Sequence, residues 1–175
     1  MELLIGCGAN LTKKIGMPDK PDWTTLITLD SNADHDPDVV HDLTDLPLPF
    51  KDDMFDEIHA YEVLEHTGRQ GDYRFFFDQF NDFWRILKPN GFLCGTSPAR
   101  DSMWAWGDPG HTRIVSAQSF VFLSQQQYMD QVGKTPMSDY RFCYHADFEP
   151  AHLDTQKDTF VYVLQAIKPA RVPTP

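Results

Sequence analysis

The sequence LLIGCGAN, residues 3–10, decides how the rest of the chain is interpreted. Its apolar run predicts a short buried strand, and the glycines that follow predict a tight turn. Gly6 and Gly8 lack a Cβ, so a ligand can approach the backbone closely and positive φ is permitted. Such turns also occur in proteins that bind nothing. A dinucleotide-binding turn has a third glycine where this chain has Leu11, which disfavours a dinucleotide fold.

Length and composition indicate one globular domain. The chain has 175 residues, of which 41% are hydrophobic and 13% aromatic, enough for a proper core. We expect this domain to span residues 1–168, with a flexible C-terminal tail at 169–175. The formal net charge of -11 disfavours long nucleic acids as partners and leaves small molecules, sugars, nucleotides or a basic protein.

Cysteine usage and hydropathy predict where the protein resides. The cysteines are three, widely spaced, and unpaired by any spacing rule, which is typical of reduced thiols in the cytoplasm. No apolar stretch reaches transmembrane length and no signal peptide precedes the first strand, so no membrane partner is expected. The sequence therefore predicts a cytoplasmic protein.

Short apolar or β-branched runs recur along the chain and predict strands. They lie at 3–5, 24–29 (ending at Asp30), 39–43, 55–61, 92–97, 140–145 and 159–167. Residues 46–50 carry two prolines, which excludes a central strand there.

Helical periodicity is clearest over residues 73–87, where aromatic residues form one apolar stripe. A second helix is predicted over 116–132, and residues 103–110 are expected to form an aromatic loop. Strands that alternate with helices after a glycine turn predict an α/β fold with a largely parallel sheet.

Further motifs follow the glycine turn in a definite order. They are Asp30 at the end of the second strand, DLTDLPLPF (42–50), FDEI (55–58), LEH (64–66) and LKPNGF (87–92). With these motifs the sequence resembles the Rossmann-like (class I) S-adenosylmethionine-dependent methyltransferases, especially their small bacterial and viral members. The resemblance extends over about residues 3–122. It implies a sheet of about seven mostly parallel strands, the last one antiparallel.

The resemblance also implies which residues hold S-adenosylmethionine. The glycine turn would face the methionine part, Asp30 the ribose hydroxyls, and Asp42 the adenine amino group. The complete predicted set is Gly6, Cys7, Gly8, Asp30, Asp42, Leu43 and Tyr61. Alternatively, Asp30 is a solvated acid at a strand end and Asp42 only caps a turn.

The chain departs from the family pattern at two positions and in its connections. Leu4 stands where members often have an acid, and Asn10 replaces the third glycine of their turn, so cofactor affinity could be weaker. The connections after the first two strands are too short, or too rich in helix breakers, for the usual helices. We therefore expect reduced helical cover on one face of the sheet, and a homodimer or a partner bound there.

A second group of residues suggests a metal site. Glu62, Glu65 and His66 would share one face of a helical turn, and His111 follows in a later loop. This pattern resembles the metal site of small-RNA ribose methyltransferases and ubiquinone-pathway O-methyltransferases. It would suit Mn²⁺, Fe²⁺, Zn²⁺ or Mg²⁺. The alternative is that His66 only orders a loop, as in members without a metal.

These observations favour a methyltransferase that O-methylates a small molecule, sugar or nucleotide, with or without a divalent metal. His66 or His111 would act as the general base. Trp104 and Trp106 would either cover the acceptor or form a hydrophobic plug. The alternative function is a catalytically silent scaffold of the same fold that binds cofactor or a partner protein.

Overall fold

Seven strands form one sheet at the centre of the molecule, seen in a computed structural model that describes residues 1–172. The strands are β1 (Glu2–Ile5), β2 (Leu26–Asp30), β3 (Val39–Val40), β4 (Phe55–Tyr61), β5 (Leu87–Pro98), β6 (Phe148–Gln156) and β7 (Thr159–Ala166). The α-helices are α1 (Tyr73–Ile86), α2 (Met103–Gly107), α3 (Ala117–Phe120) and α4 (Gln125–Gln131).

The strand order is β3-β2-β1-β4-β5-β7-β6, and β7 runs antiparallel to both of its neighbours. This confirms the predicted sheet of seven mostly parallel strands with an antiparallel last strand. The order of strands reverses between β1 and β4. The carboxyl ends of these two strands therefore border the crevice in which open α/β sheets bind ligands.

One face of the sheet carries the main apolar core. Helix α1 begins at Tyr73, where the Asp72 side chain accepts a hydrogen bond from the Phe75 backbone N–H. Its buried stripe includes Phe80 and Phe83, and Phe80 packs with Phe120 and Phe148 of later elements. The predicted helix over 73–87 is confirmed, except that its last residue belongs to β5.

The opposite face is covered by an extended segment, residues 11–25, which we call the covering segment. Within residues 1–172 no α-helix lies between β1 and β4, so the predicted reduction in helical cover is confirmed. The sequence predicts a bare apolar surface on this face, but the structure shows that the face is covered. Ile15 and Trp23 of the covering segment pack over it, and Glu57 and His59 lie buried beneath. The homodimer stays a prediction.

The predicted helix over 116–132 is wrong as one continuous element. It is divided into α3, a 3-10 turn over Val121–Leu123, and α4. Ser124 between them is extended, with φ -99° and ψ 119°. The start of α4 is instead fixed by the Asp147 carboxylate, which accepts the Gln125 backbone N–H at 3.0 Å.

The predicted strand over 140–145 is also wrong, because this segment forms turns. The side chain of Asn81 on α1 forms hydrogen bonds with the backbone of this segment and of the residue that follows it. The Asn81 amide donates to the Cys143 carbonyl at 2.9 Å and accepts from the backbone N–H groups of His145 and Ala146. The strand that the prediction lacked is β6, at the edge of the sheet beside β7.

Three further segments differ in detail from the prediction. Residues 89–91, where a turn is expected, belong to β5. The strand is irregular there, because its register with β4 shifts and Asn90 has positive φ. The expected loop at 103–110 contains the short helix α2. No helix among the described residues is long and apolar enough to cross a membrane.

The predicted flexible tail, 169–175, contains an anchored residue, Arg171. The Arg171 guanidinium donates to both carboxylate oxygens of Asp147, at 2.7 and 2.8 Å. It also lies 2.7 Å from a carboxylate oxygen of Glu149. The remainder of that prediction, 173–175, lies outside the described residues.

Candidate functional site

The glycine turn joins β1 to the end of β2 through Asp30. Gly6 and Gly8 both adopt positive φ, at 59° and 53°. A Cβ on Gly6 would lie 2.6 Å from a methyl group of Val63, so this position requires glycine on steric grounds as well. The Asp30 carboxylate accepts the backbone N–H groups of Gly8 and Asn32, each at 2.8 Å. The turn is therefore held in one conformation.

The same contacts settle the charge of Asp30. Burial alone would raise the pKa of this carboxyl, but the hydrogen bonds from the Asn32 and Gly8 amides outweigh burial and hold its pKa below the usual range. His35 lies 3.4 Å away and lowers the pKa further. Asp30 is thus an anion at neutral pH.

A cavity of about 400 Å³ opens beside this turn, at the carboxyl ends of the central strands. Four of the residues predicted to bind cofactor line it, namely Gly6, Asp30, Asp42 and Leu43. Two residues predicted to bind metal, Glu62 and His66, line it as well.

Three residues of the predicted cofactor set lie outside the lining. Cys7 is buried and packs with Tyr61 on the opposite face of the sheet. The Tyr61 hydroxyl accepts the backbone N–H groups of Lys14 and Ile15 in the covering segment, each at 3.1 Å. The Gly8 amide is bonded to Asp30.

Asp42 lies on the far wall of the cavity in a short turn. Its Oδ1 accepts both the backbone N–H and the hydroxyl of Thr44, each at 2.8 Å. These bonds lower the pKa of Asp42. Its second carboxylate oxygen remains for a ligand, beside the buried side chain of Leu43.

The predicted metal ligands come together only in part. The turn that follows β4 is a 3-10 helix over Leu64–His66, and Glu62 precedes it with a positive φ of 57°. The prediction required Glu62, Glu65 and His66 to share one face of a helical turn. Because Glu62 lies before the turn, it does not share that face. Ligand atoms of Glu65, His66 and His111 all lie within 4.8 Å of one another.

Glu65 is the most unusual of these residues because it is buried without full hydrogen bonding. Its Oε2 accepts the Ser97 hydroxyl at 2.9 Å, whereas its Oε1 has no partner among the described residues. Burial raises the pKa of Glu65 to about 7, and the negative charge of Glu62 adds to the increase.

The two histidines are oriented by backbone carbonyls. His66 Nδ1 lies 3.2 Å from the Gly110 oxygen, and His111 Nδ1 lies 2.9 Å from the Trp104 oxygen. A carbonyl oxygen only accepts, so in the neutral form of each ring Nδ1 carries the proton and Nε2 the lone pair. His111 Nε2 lies 3.8 Å from a carboxylate oxygen of Asp108. The two ring centroids are 4.6 Å apart.

Sequence reasoning missed Arg113, which connects the elements of this cluster. Its buried guanidinium donates to the Leu64 carbonyl at 2.7 Å, to the Thr67 hydroxyl at 2.9 Å, and to the Gln79 side chain. Burial lowers the pKa of Arg113 to about 10. In the sequence it is an ordinary loop cation two residues after His111, and no local pattern indicates its burial.

The aromatic residues after β5 point outward. Trp104 and Trp106 are 61% and 75% exposed, whereas Ala105 between them faces inward. A hydrophobic plug would be buried, so this geometry disfavours that interpretation. The pair lies beside the histidines, since the Trp104 carbonyl holds His111.

Comparison with known proteins now identifies the architecture. Residues 22–95, from just before β2 into β5, match the family model described as a methyltransferase domain. The chain therefore contains a stretch similar to a methyltransferase domain and has the fold of the class I S-adenosylmethionine-dependent methyltransferases. The match includes Asp30, Asp42 and Glu65, whereas the glycine turn and His111 lie outside it.

Solved structures with the same fold agree with this assignment. A SAM-dependent methyltransferase from Archaeoglobus fulgidus is similar with a TM-score of 0.57 at 16% identity, over 94% of this chain and 85% of that one. The N-methyltransferase NodS from Bradyrhizobium japonicum, in complex with S-adenosyl-L-homocysteine, gives 0.55 at 16% identity, over 94% and 76%. A Mesorhizobium loti S-adenosylmethionine-dependent methyltransferase gives 0.52 at 13% identity, over 94% and 90%. No curated protein sequence matches the chain significantly.

Proposed function

We propose that this methyltransferase binds S-adenosylmethionine in the 400 Å³ cavity and transfers its methyl group to a hydroxyl of a small molecule, sugar or nucleotide. The observation that carries the proposal is the meeting of Gly6, Asp30 and Asp42 around one cavity at the switch in strand order. Open α/β sheets bind their ligands at this place.

The cofactor roles follow from the donors and acceptors that remain free. Each carboxylate oxygen of Asp30 already accepts one amide and has a further lone pair for a ribose hydroxyl. Asp42 would accept the adenine amino group, and Leu43 would line the adenine pocket. Gly6 leaves room for the methionine part because it has no side chain.

Replacing Asp30 by Ala tests the cofactor assignment. We expect the affinity for S-adenosylhomocysteine to fall about ten- to a hundred-fold, since a carboxylate that accepts two hydroxyls contributes roughly 1.5–3 kcal/mol. Isothermal titration calorimetry measures this loss. Asp34→Ala, an exposed acid in the next loop, is the matched control and should bind like wild type. Equal affinities for Asp30→Ala and wild type would refute the assignment.

Catalysis would rest mainly on placement of the acceptor. Methyl transfer needs the acceptor oxygen in line with the sulfonium methyl group, and positioning supplies most of that effect. The free Nε2 of His66, at the cavity wall, or of His111 beside it would accept the hydroxyl proton. The exposed rings of Trp104 and Trp106 would cover the acceptor.

We further propose that Glu65, His66 and His111 hold a divalent cation, with Glu62 as a fourth ligand. Two observations support the fit. Within residues 1–172 the buried Oε1 of Glu65 has no hydrogen-bond partner. Each histidine holds a carbonyl oxygen at Nδ1, which is the usual support for a ligating Nε2. When bound, Mn²⁺, Fe²⁺, Zn²⁺ or Mg²⁺ would lower the pKa of an acceptor hydroxyl.

Metal content of wild type and Glu65→Gln, measured by mass spectrometry, tests this part. We expect about one divalent ion in wild type and none in Glu65→Gln, with weaker retention in Glu62→Gln. Asp101→Asn, an exposed acid just after β5 whose side chain is 85% exposed, is the control. If wild type binds no divalent ion at millimolar concentration, the metal site is refuted and the histidines remain candidates for the base.

A catalytically silent scaffold is the alternative function. Leu4 favours it, because this position, often acidic in the family, is buried here under the covering segment. Incubation with radiolabelled S-adenosylmethionine and an extract of metabolites and nucleotides separates the two. Transfer of label that His66→Ala and His111→Ala reduce would support the enzyme, whereas cofactor binding without transfer would support the scaffold.

A further inference from the structure

A row of buried polar side chains lies between the sheet and the covering segment. Lys13 Nζ is 2.8 Å from Glu57 Oε2, and His59 Nε2 is 2.8 Å from the same oxygen. His59 Nδ1 is 2.7 Å from the Tyr61 hydroxyl. The side chains of Lys13, Glu57 and His59 are at most 3% exposed. We call Lys13, Glu57, His59 and Tyr61 the polar row.

Hydrogen-bond geometry allows one arrangement of protons along the polar row. The Tyr61 oxygen already accepts two backbone N–H groups, from Lys14 and Ile15, so its own proton goes to His59 Nδ1. His59 Nε2 then carries a proton and donates it to Glu57. The remaining charge on Glu57 is balanced by Lys13.

Glu2 fixes the other end of the covering segment. Its carboxylate accepts the Thr24 and Thr25 backbone N–H groups at 3.1 and 3.0 Å, and the Thr24 hydroxyl at 2.9 Å. Lys13 Nζ lies 3.4 Å from the same carboxylate. Both ends of a segment that contains no α-helix are thereby bonded to side chains of the sheet.

The polar row borders the glycine turn directly. Cys7, between the two glycines, belongs to one buried cluster with Leu4 and Tyr61, and Ile15 of the covering segment packs against this cluster. On its other side the turn is bonded to Asp30 through the Gly8 amide. The glycine turn is thus bonded to the Asp30 carboxylate on one side and, through Cys7, belongs to the cluster that contains Tyr61 on the other.

We propose that Tyr61 and Lys13 are positioning residues for cofactor binding: through the polar row they hold residues 10–16 on the sheet and so fix the glycine turn that receives the methionine part. This inference rests on the proposed function. Buried ion pairs are seldom more stabilising than apolar packing of the same volume, so stability alone does not explain the row. Directional bonds define a single backbone position, which apolar contacts do not.

The test compares two ligands that share the adenosine part. S-adenosylhomocysteine has the amino-acid end, and 5′-methylthioadenosine lacks it. In Tyr61→Phe we expect affinity for S-adenosylhomocysteine to fall about tenfold, since two amides lose their acceptor, with less than about a twofold change for 5′-methylthioadenosine. Lys13→Met should shift the same ratio in the same direction. Tyr128→Phe, which loses a buried hydroxyl bonded to the Phe122 carbonyl in the other core, should change neither affinity.

A readout without ligand distinguishes this inference from the proposed function. Amide hydrogen exchange over residues 6–16 should accelerate in Tyr61→Phe and stay at the wild-type rate in Tyr128→Phe. Equal losses for both ligands, or unchanged exchange, would overturn the inference, because the row would then be a purely structural feature. If wild type binds neither ligand, the proposed function is wrong. Accelerated exchange in Tyr61→Phe would in that case still support the inference that the polar row fixes the glycine turn.

Discussion

The two faces of the sheet are covered differently: apolar packing dominates one face, and buried polar contacts dominate the other. On one face, α1 packs Phe80 against Phe120 and Phe148 of later elements, within the main apolar core. On the other, Lys13 and Glu57 meet in a buried ion pair under a segment without a helix. Apolar burial is non-directional and supplies stability, whereas the buried pair supplies position. The stable face therefore supports the fold, and the polar face borders the glycine turn.

The largest effect is expected on the apolar face. Phe80→Ala should lower the free energy of unfolding by about 4 kcal/mol, because it removes a large buried side chain that contacts Phe120 and Phe148 and leaves a cavity. Urea denaturation measures the change. Phe142→Ala, which alters an aromatic ring that is 64% exposed, should change stability by less than about 1 kcal/mol. Similar losses in both variants would contradict the assignment of the core.

A smaller effect is expected on the polar face. Lys13→Met should lower the free energy of unfolding by about 3 kcal/mol, because it leaves the Glu57 carboxylate buried without its cation. The double variant Lys13→Met/Glu57→Gln should regain part of this loss, since an uncharged amide can still accept from His59. Lys14→Met, an exposed neighbour, is the control. A double variant that is as unstable as the sum of its single changes would show that the pair does not interact.

The smallest effect is a dependence on pH. Burial lowers the pKa of His59 below its ordinary value of 6.5, despite the opposing effect of Glu57. Below pH 6.5 the unfolded chain then binds a proton that the folded chain does not, so stability falls as the pH falls through that range. The titratable groups that face His59 are Glu57 and Tyr61 on its own strand, Glu2 on β1, Cys94 on β5 and Lys13 in the covering segment.

Comparison of variants isolates the contribution of His59. Thermal unfolding of wild type and His59→Gln between pH 7 and 5 should show a shallower decline for His59→Gln, whereas His152→Gln, at an exposed site on β6, should follow wild type. Carboxylates with lowered pKa, such as Glu57, titrate below this range and do not disturb the comparison. Parallel curves for wild type and His59→Gln would mean that folding does not change the pKa of His59.

Local patterns in the sequence were sufficient for much of the fold and for one wall of the site. The alternating run at 55–61 forms β4 with the predicted bounds, and the stripe over 73–87 forms α1. Gly6, Asp30 and Asp42 line one cavity because the carboxyl ends of parallel strands share an edge. In each case the signal lies within one element or at its end.

Other segments depended on contacts with distant residues. Residues 140–145 have the composition of a strand, but Asn81 on α1 binds their backbone groups and the segment forms turns. The edge strand β6 was missed because it alternates weakly and contains Pro150, which an edge position tolerates. The helix over 116–132 is interrupted because Asp147, far along the chain, fixes a second helix start at Gln125.

The sequence by itself thus determined most of the sheet, its main helix and four of the residues that line the candidate cavity, since hydrophobic periodicity and strand ends are local properties. Only the tertiary structure decided which charged residues are buried. Nothing local distinguishes the buried Lys13 from the exposed Lys14, or the buried Arg113 from other loop cations. Their burial depends on partners in distant segments, Glu57 for Lys13 and Gln79 for Arg113, and these partners meet only when the chain has folded.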